Sequence, residues 1–527
     1  MACGKDAHAG IQDGGQPVAG EGYGWWPALV AGALALTVYV ITLAPGLSFD
    51  HFGTDGGDLI AAAYNLGVPH PTGYPTYSLL AWLFSRVPVG TIAYRVNLLS
   101  AVGAAGAAAL LFRVTQRLLP PEGHPLLLPG ATALTLAFSS LLWSQAVISE
   151  VYTLLAFFAS LLLWLLVRWR TGGHDGFLWV AALVLGLGLG NHMTLIFGLP
   201  AAVVLLWPER RRWLCLRVLV PCLPLFLAGL AVYAYLPLAA RHQPPVNWGY
   251  VTTWERFLWI VTADQYHGMA FGLDPAAMPG RIATWAALLG DQFGWWGLVL
   301  ALVGGWWWWR QDRSFAASGL LWMGLVGSYA FLYDTYDSHI YLIVPFLLLA
   351  MWWAAGARLL VRWLQAWRPA WQRHFLAVVA LLPLISLALH WQAADPDDDW
   401  EVHAYIYQAL ETPPADSLIV VRGDRPTFAL WYGIYAERHR SDVSVVSGPL
   451  LAFIWYREHV RSLYPDLVVN EPADAKVTIH DLVHDLIATN IDRRPVYATD
   501  PSDTWSAWFD FIEEGTAPIY RAAVKAP

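Results

Sequence analysis

FGTDGGDLIAAAYNLGVPHPTGYP, residues 52–75, follows the apolar run Trp25–Ala44, which has the length a bilayer-spanning helix needs, about 20 residues. The stretch puts two carboxylates and a proline-rich turn into one loop at the membrane rim. Of 527 residues, 57% are hydrophobic and 13% charged, where a soluble globular chain averages about a quarter charged. The chain therefore reads as a polytopic α-helical membrane protein, and its polar rim loops are where chemistry is expected. The net charge of −8 argues against a nucleic-acid partner, which calls for a basic face. Cys3, Cys215 and Cys222 are too scattered for a disulfide framework or a tetrahedral metal site.

Further apolar runs lie near 92–118, 126–146, 151–168, 177–193, 194–207, 215–238, 293–309, 315–333, 339–361 and 375–391, which gives about eleven transmembrane helices. The two between Phe177 and Trp207 share the interrupted stretch GLGLGNHMT and are expected to be broken or tilted. Residues 1–22 are Gly-rich and polar without a basic leader, and read as a disordered cytoplasmic tail before an anchor helix. Arginines at 113, 117, 168, 170, 210–212, 217, 310, 313 and 358–373 fall in alternate connections, which are expected to be cytoplasmic. The opposite set is then extracytoplasmic: the 46–90 loop, Ser149-Glu150, Asn191-His192, the long 239–292 loop, Asp334–His339 and everything after about 392. After the acidic linker DPDDDW (395–400), SLIVV (417–421), GDRP, a helix over Thr427–Arg438 and VSVVS (443–447) predict a βαβ unit in a C-terminal soluble α/β domain. The expected division is 23–391 in the membrane and 392–527 outside it.

Asp55 and Asp58 stand at i, i+3 where DLIAAAYNLG starts a helix, so both carboxylates belong to its N-terminal turn. Spacing alone leaves two readings open: Asp55 as a helix cap with Asp58 in the first turn, or a catalytic pair. Pro69, Pro71 and Pro75 with Gly67 and Gly73 then fix a rigid turn that presents His70 and Tyr74. No second metal ligand lies at a recognisable spacing from His70, and the pattern leaves open whether a divalent metal assists.

The block TDGGDLIAAAYNLGVPHPTGYPTYSLLAWLF (54–84) resembles the signature of a family related to the animal transmembrane protein O-mannosyltransferase acting on plexin-type domains, within the GT-C glycosyltransferase superfamily. SQAVISEVYTL (144–154), GLGLGNHMTL (186–195), YLPLAARHQPPVNWG (235–249), RFLWIVTADQYH (256–267), QFGWWGL (292–298), YDTYDSHIYLIVP (333–345) and GDRPTFALWYGIYAERHRSDVSVVSGPLL (423–451) resemble further family blocks in order. The chain departs from the family in having Thr72 after Pro71, where two prolines are common, and Asp58 where Glu is frequent.

The resemblance implies a GT-C fold and a transferase that uses a lipid-linked sugar, with its site outside the cytoplasm. Polyprenyl-phosphate mannose is the expected donor. The acceptor is a hydroxyl, either Ser or Thr of an exported protein or a lipid-linked or cell-envelope glycan. Carried over by position, Asp55 is the general base of an inverting transfer. A hydroxyl nucleophile needs a carboxylate to take its proton, whereas the departing polyprenyl phosphate is a stable anion and needs no acid.

The leaving phosphate calls for positive or dipolar stabilisation, for which Arg241 is the sequence candidate, helped by His192 and His242. Glu150 is read as an acceptor-orienting carboxylate or a partner of Arg95 or Arg241. Asn191, Asn247, Trp248, Gln265 and Tyr266 supply amides and aromatic faces suited to a sugar. Asp337 and His339 open a helix on the outer side as substrate contacts or as a cap, and Asp424 ends the first strand of the soluble domain, where α/β sheets bind ligands. A transporter or flippase would instead carry inverted repeats and ionisable residues at helix midpoints, and a non-catalytic scaffold would tolerate loss of Asp55. The expected location is the lipid of a prokaryotic plasma membrane, with the site outside.

Overall fold

The computed structural model describes residues 23–122, 124–471, 477–515 and 517–525; the expected tail, 1–22, lies outside the described residues. Eight helices are long and apolar enough to cross a membrane: Ile92–Leu118, Tyr152–Arg170, Met193–Trp213, Leu216–Arg241, Pro275–Gln311, Arg313–Leu332, Ser338–Trp367 and Pro369–Ala394. Leu127–Ala137 and Ser140–Ala146 make a ninth if taken together, although they bend by 63°. Trp26–Ile41 and Gly176–Leu189 are shorter apolar helices. Each anticipated apolar run coincides with one of these elements. The eleven expected spans thus resolve into eight full-length helices, one bent pair and two short helices.

Both breaks have local causes. Ser139 adopts an extended conformation (ψ 151), which ends the 127–137 helix. The carbonyl of Phe138 then accepts from Ser386 Oγ at 2.8 Å. In GLGLGNHMT the helix stops at Leu189 and His192 is extended (φ −156) before a new turn begins at Met193.

The arginine-bearing connections meet at one end of the bundle. There Arg170 forks onto Asp312 at 2.6 and 3.0 Å, Arg358 pairs with Glu122 at 2.8 Å, and Arg117 donates to the Thr171 carbonyl at 2.8 Å. The helices are unequally covered. The 338–367 helix is 89% buried over its most apolar window, while 216–241, 275–311 and 369–394 are each 17% buried and present apolar faces outward, as lipid-facing helices do.

The C-terminal unit holds one five-stranded sheet of order β2-β1-β3-β5-β4, with β1 at Leu418–Val421, β2 at Ser444–Ser447, β3 at Val496–Ala498, β4 at Phe509–Glu513 and β5 at Tyr520–Val524. β1 runs parallel to β2 and β3, with Leu418 opposite Ser444 and Val496, while β5 is antiparallel to β3 and β4. All four β1 residues are buried, as expected for a strand covered on both faces. The anticipated βαβ unit is present. Its crossover helix spans Asp424–Trp431 and starts three residues earlier than the periodicity suggests, because Gly423 takes φ +91, a conformation open to glycine.

The crossover helix sits directly on the helix of the first loop, Gly56–Tyr64. A Cβ on Gly57 would meet the Phe428 carbonyl oxygen at 2.3 Å, so glycine is what lets the two backbones touch. One continuous buried apolar cluster includes Leu59 and Ile60 of the loop with Phe428, Leu430 and the β1 strand.

Candidate active site

The first-loop helix is built on LIAAA, buried throughout. Asp55 occupies its N-cap position, yet the side chain accepts no hydrogen bond from the first turn. Asp58, one turn on, is fully buried. Its Oδ2 accepts the His70 backbone N–H at 2.9 Å and meets the His70 Nδ1 at 2.8 Å. Its Oδ1 accepts the Trp248 indole N–H at 2.8 Å. Three groups thus converge on one carboxylate, which meets the requirement that a buried charge be paired and hydrogen-bonded.

Trp248 arrives through a short parallel pairing of the long loop with the first: Val68 N–H donates to the Val246 carbonyl and Trp248 N–H to the Val68 carbonyl, both at 3.0 Å. Gly67 permits the approach, since a Cβ there would meet the Val246 oxygen at 2.3 Å. The sequence suggested a sugar-facing indole at 248. Instead the ring is 4% exposed, wedged against Phe428, Trp431 and Trp455, with its N–H committed to Asp58.

The far side of the imidazole faces Asp55, with His70 Nε2 3.5 Å from Asp55 Oδ2. His70 therefore joins a buried carboxylate to one that is 42% exposed. Burial alone would lower the His70 pKa, but the Asp55 charge and the hydrogen bond and charge of Asp58 raise it to about 9. Burial raises the Asp55 carboxyl to about 6, with the charges of Asp337, Asp58 and Asp424 adding to the rise and His70 opposing it. The raised His70 pKa favours an imidazolium between two carboxylates, one fully buried and one partly exposed.

The remaining predicted residues divide into those around Asp55 and those elsewhere. Glu150 is 4% exposed and accepts only the Val151 N–H, at 3.3 Å. Burial, then the charges of Asp55 and Asp337, push its carboxyl well above the usual range. It pairs with neither Arg95, which is spent on the carbonyls of Ser85, Val89 and Gly90, nor Arg241. Asp337 acts on both Asp55 and Glu150 through its charge, and its carboxylate accepts from the Thr335 hydroxyl. The His339 ring lies edge-on to Phe52 at 4.9 Å.

Tyr74, in the left-handed region at φ 37, lies 5.0 Å from the His70 ring and 6.4 Å from His192. His192 continues this aromatic wall to Tyr152 and Tyr341 at 5.6 and 5.4 Å, and burial lowers its pKa to about 4. Asn191 donates to the Val151 carbonyl at 3.0 Å, behind the same wall. Tyr266 belongs to the group as well: burial and then the Asp55 charge raise its hydroxyl, and its neighbour Gln265 hydrogen-bonds to it.

Asn247 is buried and donates to the Ala240 carbonyl at 3.4 Å, so it supports the loop pairing from behind. Arg241 is exposed at the last turn of its helix, and among the described residues no hydrogen bond or ion pair ties it to this cluster. Among the described residues, no group of three or more His, Cys, Asp or Glu is disposed to hold a metal ion. Two participants escaped sequence reading. Phe428 stacks on His70 at 6.5 Å and 16°. Arg425 reaches Thr54, whose Oγ1 lies 3.4 Å from its Nε. Arg425 lies within GDRP (423–426) and Phe428 just after it, and that spacing signals only a turn.

Residues 55–214 match the family described as the Protein O-mannosyl-transferase TMEM260 N-terminal domain, and residues 402–466 match TMEM260-associated domain 2. The mouse Protein O-mannosyl-transferase TMEM260 is 28% identical over 492 residues, 84% of this chain and 66% of that protein. The Dictyostelium discoideum protein of the same name is 22% identical over 525 residues, 87% of this chain and 62% of its own length. The fold matches the crystal structure of ArnT from Cupriavidus metallidurans bound to undecaprenyl phosphate, with TM-score 0.63, 12% identity and coverage of 96% and 98% of the two chains. It also matches that protein in the apo state, with TM-score 0.54, 11% identity and coverage of 95% and 98%.

Over these two segments the chain resembles the TMEM260 proteins, and its fold is that of ArnT. It spans 66% and 62% of the lengths of these two relatives, both eukaryotic. The first matched segment opens at Asp55 and carries Asp58, His70 and Glu150. The second carries Asp424, Arg425 and Phe428. The two segments meet where Phe428 stacks on His70 and Arg425 reaches Thr54.

Proposed function

We propose that this protein transfers a monosaccharide, mannose, from a polyprenyl-phosphate carrier to the hydroxyl of a Ser or Thr in an exported protein, with Asp55 as general base and inversion at the anomeric carbon. The observation that carries this reading is a carboxylate open to the cleft on a histidine anchored from behind by a buried aspartate. The names of the mouse and Dictyostelium relatives support the sugar and the acceptor, and the undecaprenyl phosphate in the ArnT structure supports a lipid-phosphate carrier.

In the reaction the acceptor oxygen forms its bond to the anomeric carbon as the bond from that carbon to the phosphate oxygen breaks. The hydroxyl proton passes to Asp55, and the bonding pair leaves with the polyprenyl phosphate. A single displacement inverts the centre, and a positioned base contributes about 10²–10⁴-fold. The His70 imidazolium holds Asp55 ionised and oriented, while Asp58 and Trp248 fix the imidazole. Glu150, whose carboxyl burial pushes upward, hydrogen-bonds the acceptor or the sugar. The cleft opens on the extracytoplasmic side, opposite the arginine-rich connections.

The test is transfer of radiolabelled mannose from polyprenyl-phosphate mannose to endogenous acceptors, in membranes carrying wild type or Asp55→Asn at equal amounts of folded protein. Asparagine keeps the volume but cannot accept the proton. Transfer by the wild type alone supports the reading, equal transfer by both removes Asp55 as the base, and labelled glycan in place of labelled protein redirects the acceptor.

A further inference from the structure

A sugar phosphate leaving group needs a cation, and the arginines around the cleft are unequally free to supply one. Arg281 is consumed by the carbonyls of Tyr333 and Thr335, at 3.1 and 2.8 Å, and by the Ser338 hydroxyl. Arg95 is likewise bound to carbonyls, and Arg241 lies exposed on another element. Arg425 differs from Arg281 and Arg95 in being uncommitted, and from Arg241 in reaching the first loop. Its one contact to a polar atom is from Nε to Thr54 Oγ1 at 3.4 Å, and its guanidinium lies 5.5 Å from the Phe49 ring centroid. Among the described residues it makes no ion pair, so its two terminal nitrogens are uncommitted, and the residue is exposed.

The surroundings suit an oxyanion. Thr54 immediately precedes Asp55, and its Oγ1 lies 3.4 Å from the Tyr336 hydroxyl. The Thr54 hydroxyl thus lies within 3.4 Å of both the Arg425 Nε and the Tyr336 hydroxyl, and the charges of Asp337, Asp55 and Arg425 all act on Tyr336. The crossover helix that carries Arg425 cannot drift from the loop, because Phe428 touches Gly57 at backbone distance.

We infer that Arg425, with the hydroxyls of Thr54 and Tyr336, binds the phosphate of the lipid-linked donor, so that the C-terminal unit forms part of the donor site. This rests on the lipid-phosphate reading above. A guanidinium presents two parallel N–H groups to a phosphate. Phe49 supports its flat face, and the hydroxyls complete the shell. The sugar's anomeric carbon then lies on the Asp55 side of the phosphate, where an acceptor hydroxyl can approach the base.

The experiment measures binding of undecaprenyl phosphate, and separately of inorganic phosphate, to the purified full chain in lipid nanodiscs by quenching of its tryptophan fluorescence. Wild type, R425Q, R425K and R241Q are compared, with thermal midpoints recorded for each. The expected result is binding weakened roughly tenfold to a hundredfold in R425Q, the range for a lost charge-assisted pair. R425K should be intermediate, R241Q should bind like wild type, and the midpoints should not change. R425Q that binds like wild type overturns the inference and leaves the transferase reading standing, as does a loss confined to R241Q. Wild type that binds inorganic phosphate as tightly as the lipid overturns the lipid source. Wild type that binds no undecaprenyl phosphate overturns the donor reading, and this inference with it.

Discussion

His70 and His390 each face a partly exposed aspartate at the same distance, yet the two pairs are engaged very differently. In the first loop, His70 links Asp58 to Asp55. Between the 275–311 and 369–394 helices, His390 Nε2 lies 3.5 Å from Asp291 Oδ1, the same separation as His70 from Asp55. The outer carboxylates are also alike in exposure, 42% at Asp55 and 45% at Asp291.

What separates the pairs is how the rest of each is engaged. His390 Nδ1 bonds the Phe138 carbonyl at 2.8 Å, and Asp291 accepts from the Ser140 hydroxyl. That pair mends the 63° bend of the 127–146 segment by satisfying backbone groups the bend exposes. His70 instead has a buried carboxylate behind it, and Asp55 accepts nothing beyond His70. A contact between Asp and His is therefore no signature of catalysis. The distinguishing features are an anchored imidazole and an otherwise uncommitted oxygen.

The sharpest way to break this comparison is to neutralise both outer carboxylates in parallel. Asp55→Asn should cost about 10²–10⁴-fold in mannose transfer, while its thermal midpoint stays close to that of wild type. A loss below tenfold would remove Asp55 from the role of base. The pH profile sharpens the same point. Asp55 must be ionised to accept a proton, so with its carboxyl at about 6 the transfer rate should fall roughly tenfold for each pH unit below that value.

On the alkaline side, His70, raised to about 9, is protonated in the active form, so the rate should decline above about 9. Its folded pKa is raised, so its contribution to stability is complete below its ordinary value of 6.5 and is lost as pH climbs through about 9. His70→Asn removes the charge that favours ionised Asp55. The acid limb should then move up and the alkaline limb disappear, and an unchanged profile in that variant would contradict the linkage.

The helices were legible because apolar runs of bilayer length can arise from little else, and the βαβ unit was legible from SLIVV and VSVVS with a turn and helix between them. The bend at Phe138–Ser139 was not, since nothing local marks it. Ser386 and His390, which satisfy it, lie about 250 residues away. Within the site, Asp55 and Asp58 were visible as a pair, but spacing cannot show that one is buried under three contacts and the other open. His70 appeared as a turn residue, because its link to Asp58 depends on a fold-back that Trp248 completes from the long loop. Arg425 was hidden for a similar reason: a single arginine after a strand looks like any solvated charge until the crossover helix docks on Gly57. Arg241, conspicuous in sequence, stands exposed at the end of its helix.

The inner half of the relay offers a smaller effect, on stability before chemistry. Asp58→Asn turns an amide N–H₂ toward donors in a fully buried place and should cost about 3 kcal/mol, read as a lowered thermal midpoint in detergent. Trp248→Phe deletes one donor to the same carboxylate and should cost about 1–2 kcal/mol, with transfer reduced through a loosened His70. If Asp58→Asn folded as well as wild type, the carboxylate would not be the anchor its three contacts describe.

The smallest expected effect belongs to the second pair, and it gives the comparison its control. Asp291→Asn keeps an acceptor oxygen for the Ser140 hydroxyl and gives up only an ion pair with a histidine. For a carboxylate 45% exposed, such a pair is worth less than about 1 kcal/mol. The thermal midpoint should shift slightly downward and mannose transfer should match wild type at equal amounts of folded protein. A large loss of transfer with the fold intact would mean that the bend it supports carries function, and that anchoring of the imidazole does not separate the two pairs. Unchanged transfer, beside a dead Asp55→Asn, would tie activity to the one histidine whose rear nitrogen rests on a buried carboxylate.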